Sequence, residues 1–203
     1  MEPVHLIAGL GNPGIEYAQT RHNAGFILAD KLAARWAASW RMSRKLHAHL
    51  ARAHYGRHRV VLCKPQTFMN ASGQAVKATV DYFNVSLDRL VVVVDDADLP
   101  LGQLRLRPHG SSGGHHGLES VIAHLGTRQF PRLRLGIGRL KDAREITDYV
   151  LGRFSPEETV LLERVLSVAC AQLECWLDSG IDKAMSKFNG VVTDTEQPEQ
   201  KPH

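Results

Sequence analysis

Apolar runs alternate along this chain with polar loops and with stretches of helical spacing. Val4 to Ala8 is a short apolar run that reads as a buried β-strand. Leu28, Leu32, Trp36 and Trp40 then recur every fourth residue, which predicts an amphipathic helix over Ala24 to Trp40. Leu46 to Tyr55 alternates apolar and polar residues, Gly56-Arg57 offers a turn, and Arg59 to Cys63 would return as the second strand of a hairpin. A helix is expected after Asn70, with Val76, Val80 and Phe83 as its stripe. Leu90 to Val94 is apolar and β-branched, the best candidate for a central strand. Leu104 to Arg107 reads as a short strand, Leu118 to Leu125 as a short helix, and Arg132 to Gly138 as a strand with one basic face. Ser155-Pro156-Glu157-Glu158 is a capping-box helix start, and Gly180 is its stop. A last short helix covers Asp182 to Phe188.

Strands alternating with helices predict an α/β fold with a mixed, mostly parallel sheet. No repeat and no linker divides the chain, so one domain is expected over residues 1–189. Residues 190–203 carry no aromatic side chain and little apolar mass, and are expected to be a disordered tail.

Composition adds little to this outline. Hydrophobic content of 43% and charged content of 23% are ordinary globular values. A net charge of +4 and a pI near 9.1 permit a polyanionic partner without demanding one. Three cysteines without a C-x-x-C pair suit a reducing, cytoplasmic setting. No signal peptide is visible, and no run approaches the roughly 20 apolar residues of a membrane span. No exposed apolar helix argues for more than a monomer.

The chemistry concentrates in loops that follow strands. Asn12 to Asn23, Gln66 to Asn70 and Asp95 to Asp98 would converge if their strands were adjacent and co-directional. A histidine, two amides and a carboxylate would then meet. A carboxylate bonded to one imidazole nitrogen leaves the other able to take a proton from water. Amides can donate to a carbonyl or to the oxyanion formed from it. That set suits hydrolysis of an activated acyl bond without a covalent intermediate. The same residues, taken singly, also read as turn caps and a loop histidine.

Three other motifs are weighed and set aside. Gly9, Gly11 and Gly14 match the dinucleotide fingerprint G-x-G-x-x-G, but Asn12-Pro13-Gly14 is a turn and the helix starts too late to face a pyrophosphate. Gly110 to Gly114 matches G-x-S-x-G, but arginines, a proline and a histidine precede it rather than a buried strand. It reads better as a mobile flap with backbone N–H groups for phosphates. His47 with His49, and His115 with His116, lack a third ligand at zinc-like spacing, so no metal and no other cofactor is expected. Arg105, Arg107, Arg132, Arg134, Arg139, Lys141 and Arg144 form a stripe of the kind that follows a phosphate backbone.

The motifs G-L-G-N-P-G-x-x-Y-x-x-T-R-H-N-A-G at Gly9–Gly25 and K-P-Q-T-F-M-N at Lys64–Asn70 resemble signatures of the bacterial peptidyl-tRNA hydrolase family. D-D-A-D-L-P at Asp95–Pro100, G-G-H-x-G-L at Gly113–Leu118 and R-L-R-L-G-I-G at Arg132–Gly138 follow in the family's order. The resemblance implies a single three-layer α/β domain that cleaves the ester between a peptidyl group and the 3′ ribose of tRNA. It implies His22 as the base activating water, Asp95 as the group orienting it, and Asn12 as the contact to the peptidyl part. Tyr17, Phe68, Met69 and Asn70 would line the site of the tRNA 3′ end, with Asn23, Gly113, His115 and His116 in the same binding set. Arg105, Arg107, Arg132 and Arg134 are expected, from charge alone, to take tRNA phosphates. One departure stands out: the family usually has asparagine at the position of His116, and an imidazole offers different hydrogen-bond geometry.

Overall fold

The computed structural model describes residues 3–138 and 146–192. Eight strands form one sheet in the order β2-β3-β4-β1-β5-β7-β6-β8. Its centre is parallel: β1 (Val4–Gly9) lies between β4 (His58–Pro65) and β5 (Leu90–Asp96), and β5 pairs with β7 (Arg132–Gly136). Both edges are antiparallel. β2 (Trp40–Ser43) and β3 (Ala48–Tyr55) extend the sheet beyond β4, and β6 (Gln103–Arg107) with β8 (Gly190–Val191) beyond β7. The sheet is therefore mixed, with its parallel character confined to the four central strands.

Period-two alternation along these strands feeds two cores. Ile7, Leu62, Val91, Val93, Leu133 and Leu135 pack with α1 (Ala24–Arg35) and α5 (Pro156–Ser179) on one face. Leu6, Ala8, Val61, Cys63, Val92 and Val94 pack with α2 (Ser72–Phe83) and α3 (His116–Leu125) on the other. The three αβα layers follow. The expected capping box opens α5: Ser155 Oγ accepts from Glu158 N, and Glu158 Oε2 accepts from Ser155 N at 2.7 Å.

Four local expectations change. The first helix ends at Arg35, because Ala37 turns to a φ of 49° and Trp40 enters β2; its spacing from Trp36 is coincidental. A short α4 (Ile146–Leu151) lies where no element was expected. α6 is seen as Ile181–Phe188. β8 lies inside the stretch expected to be unstructured, because its backbone pairs with Gln103 and Leu104; residues 193–203 of that tail are outside the described residues.

The glycines of the first loop serve packing. A Cβ at Gly25 would stand 2.5 Å from Val93 O, and one at Gly11 would stand 2.7 Å from the Phe26 ring. The lack of a Cβ at these positions lets α1 close against the ends of β1 and β5, which accounts for Gly11 of the fingerprint without a nucleotide.

Candidate active site

Strands β4, β1 and β5 are adjacent and co-directional, so their C-terminal loops converge as the chemistry required. α1 and α2 leave on opposite faces, and such a switch in winding opens a crevice at the carboxyl ends of the strands. A cleft of about 470 Å³ lies there, lined among others by Asn12, His22, Phe68, Asn70, Asp95 and His115.

The polar centre is built around Asp95, which is only 3% exposed at the end of β5. His22, in a single 3-10 turn ahead of α1, sets its Nδ1 at 3.0 and 3.1 Å from the two carboxylate oxygens. His115 sets its Nε2 at 3.0 Å from Oδ1. The tautomer of His115 is constrained from its other side, because its Nδ1 accepts from Leu118 N at the start of α3. A nitrogen accepting there carries no proton, so Nε2–H donates to Asp95. Asp95, holding two N–H groups, orients His22 as the Nδ1–H tautomer and leaves Nε2 bare. Burial pushes the Asp95 carboxyl up, but the electrostatic attraction of the His115 and His22 N–H groups and their hydrogen bonds outweigh it. The net result is a carboxyl held well below the usual carboxylate range, ionised at neutral pH.

The amides are fixed by a reciprocal pair. Asn23 Oδ1 accepts from Asn12 N at 2.8 Å, and Asn23 Nδ2 donates to Asn12 O at 2.9 Å. Asn12 Oδ1 in turn accepts from Met69 N at 2.8 Å, joining the first and second loops. The group Asn12 offers to the cleft is therefore its N–H2. Asn70 and the exposed Phe68 ring stand at the mouth with Gly113 and His116.

Some expected positions serve otherwise. Asn23 is 1% exposed with its amide spent on Asn12, so it positions the loop and is closed to substrate. Met69, by contrast, lines the cleft as expected although it is only 4% exposed. Tyr17 is not among the cleft-lining residues; it sits in a turn where its carbonyl accepts Thr20 Oγ1 at 2.8 Å. His116 is exposed and bonded to Glu119 Oε2 at 3.1 Å.

The basic face of β6 and β7 exists, but half of it is turned inward. Arg132 is 1% exposed, and its guanidinium donates to the carbonyls of Gly110, Ser111, Arg128 and Phe130. With its donors spent on these carbonyls it is closed to phosphate; burial, with Arg134 beside it, also lowers its pKa to about 10. Arg134 bonds Asp96 at 3.0 Å and the carbonyls of Ser111 and Ser112. These two arginines pin the Gly-rich segment expected to be a mobile flap. Arg105 and Arg107 remain free of ion pairs among the described residues. Arg139, Lys141 and Arg144 lie outside the described residues. Arg132→Met strands four carbonyls and is expected to cost about 3 kcal/mol or more of stability. Urea unfolding checks this, and an unchanged midpoint would mean the bonds contribute nothing.

Arg21 belongs to the polar loop Asn12 to Asn23, but nothing in the sequence shows its role there. It stacks over Tyr149 at 4.4 Å, bonds Glu158 Oε2 at 2.7 Å, and its backbone N donates to Gly152 O. It thus ties the turn carrying His22 to α4, whose Ile146, Val150 and Leu151 form an apolar wall of the cleft. Ser112, the would-be nucleophile, has its Oγ 3.3 Å from Glu119 Oε1 and no imidazole bonded to it. His22, Asp95 and His115 could also hold a metal, their donor atoms lying within 4.8 Å of one another. Two of the nitrogens on offer, His22 Nδ1 and His115 Nε2, are already bonded to Asp95.

A buried carboxylate steering an imidazole, with amide donors alongside in a cleft at the switch point of an α/β sheet, is the equipment of a water-activating hydrolase. A family model described as Peptidyl-tRNA hydrolase matches residues 6–199. The peptidyl-tRNA hydrolase of Gloeobacter violaceus is 48% identical over 92% of this chain and 94% of its own length. That of Geobacillus kaustophilus is 46% identical over 91% and 98%. The crystal structure of peptidyl-tRNA hydrolase from Acinetobacter baumannii superposes with a TM-score of 0.88 at 33% identity, covering 93% of this chain and 96% of that one. The chain belongs to the peptidyl-tRNA hydrolase family.

Proposed function

We propose that this chain hydrolyses the ester joining a peptidyl group to the 3′ ribose of tRNA, using a water deprotonated by His22. The observation that carries this reading is the Asp95–His22 pair inside the cleft. Asp95 holds Nδ1–H, so Nε2 can take the proton as water attacks the ester carbonyl. The imidazolium formed is stabilised by the buried carboxylate, and it then returns the proton to the departing ribose oxygen. The N–H2 of Asn12 donates to the peptidyl part, favouring N-blocked aminoacyl groups over free ones. Asn70 and Phe68 receive the 3′-terminal nucleotide, the ring as a stacking surface for its base. An ester is activated already, so one oriented water with amide donors suffices without a side-chain nucleophile. Among the described residues no helix is long and apolar enough to cross a membrane.

A turnover assay on N-acetyl-aminoacyl-tRNA tests the reading. Release of the blocked amino acid is expected, with much slower release from unblocked aminoacyl-tRNA and no change on chelation by EDTA. Tight binding without release would make the protein an RNA-binding relative that has lost catalysis.

A further inference from the structure

A second groove, about 550 Å³, lies away from the cleft between the β2–β3 ribbon and the end of α2. Its lining includes Arg41, Lys45 and Arg52 together with Met42, Leu50 and Tyr82, and contains no carboxylate. The cations share one side for a structural reason. Arg41 is the register partner of Leu50, and Arg52 lies two residues further along β3, so all three project from the sheet face that α2 packs on. All three cations are exposed, and none has a carboxylate partner among the described residues. Aromatic rings lie with them: Lys45 Nζ is 5.5 Å from the Tyr82 ring and Arg52 Cζ is 5.3 Å from the Phe83 ring. Tyr82 is itself 54% exposed.

The groove is joined to the cleft. The β2–β3 turn reaches His47, whose carbonyl accepts from Gln66 N at 2.7 Å. Gln66 opens the segment that carries Phe68 and Asn70 to the cleft mouth. The turn that carries Lys45 and the segment that carries Phe68 are therefore bonded to one another.

We propose that this groove binds the phosphate backbone of the substrate tRNA outside its acceptor terminus. Arg41, Lys45 and Arg52 take phosphates, and Tyr82 offers its ring to a base or ribose. Cations without acids, an exposed ring among them, and a turn bonded to the segment that lines the cleft together favour RNA over an acidic peptide. The inference rests on the proposed tRNA esterase activity.

The test compares wild type with the double variant Arg41→Gln/Arg52→Gln on two substrates, full-length N-acetyl-aminoacyl-tRNA and the same ester on a CCA trinucleotide. For the full tRNA, KM is expected to rise about tenfold and the salt dependence of log KM to shallow by roughly one to two, with kcat unchanged. For the trinucleotide ester, neither constant changes. Unchanged KM on both substrates, or an equal change on both, overturns the proposal. Filter binding of uncharged tRNA reads the groove without turnover, so loss of affinity in the double variant supports it even if wild type releases nothing. Both replaced side chains are exposed, and an unaltered melting temperature confirms the fold.

Discussion

Replacing His22 by alanine is expected to lower kcat on N-acetyl-aminoacyl-tRNA between about 100- and 10,000-fold, with KM changed only a few-fold. Among the described residues, the imidazole is the one group in the cleft with a bare basic nitrogen and a buried partner to stabilise its charged form. Alanine removes that base while leaving the amides and Phe68 that receive the substrate. The turn itself survives, because Arg21 N remains bonded to Gly152 O and Asn23 to Asn12. Steady-state kinetics beside a melting curve separates the outcomes: a large loss of kcat at unchanged stability is expected. Wild-type turnover in this variant would remove the base from the mechanism.

Asp95→Asn carries the second large effect, on the order of 100-fold or more in kcat. An amide can keep its oxygen toward Oδ1's two partners, but it then sets an N–H2 against the Nδ1–H of His22 and no longer balances the imidazolium. Flipped, it offers N–H2 to both rings, and His115 must give up accepting from Leu118 N. Neither orientation reproduces the site. The substitution also changes how stability depends on pH. The folded-state pKa of Asp95 is depressed below its ordinary value of 3.8. Its ionic contribution is therefore fully present above about pH 4 and is lost as pH falls further, because the unfolded chain takes up the proton first. Urea unfolding across that range is expected to show the gap between wild type and Asp95→Asn narrowing as the solution is acidified. A constant gap would mean that the carboxylate is not held by its two imidazoles.

Much of this site could be read from the chain because each piece sits in a loop directly after a strand of clear apolar character. Val4 to Ala8 and Leu90 to Val94 are unmistakable, and once they are neighbours His22 and Asp95 must approach each other. The partnership of Asp95 with His115 had no local signal, since it depends on how α3 docks against β5. Arg132 misled because alternation on a strand shows which residues share a face, while saying nothing about what covers it. Here the carbonyls of residues 110, 111, 128 and 130 cover it. Charge alone could not separate that buried arginine from Arg107, which is exposed on the neighbouring strand. α4 is too short to show a helical period, and Trp40 imitated one by chance. Asn23 lay in the right motif, but its role as a brace for Asn12 follows only from the two reciprocal hydrogen bonds.

Water activation by His22 depends on which of its ring nitrogens carries the proton. Nitrogen NMR of the ring, with the His22 resonance assigned by comparison with His22→Ala, reads this directly. At neutral pH the expected pattern is Nδ1 protonated and Nε2 bare, shifting in Asp95→Asn. A neutral ring protonated on Nε2, insensitive to Asp95, would contradict it.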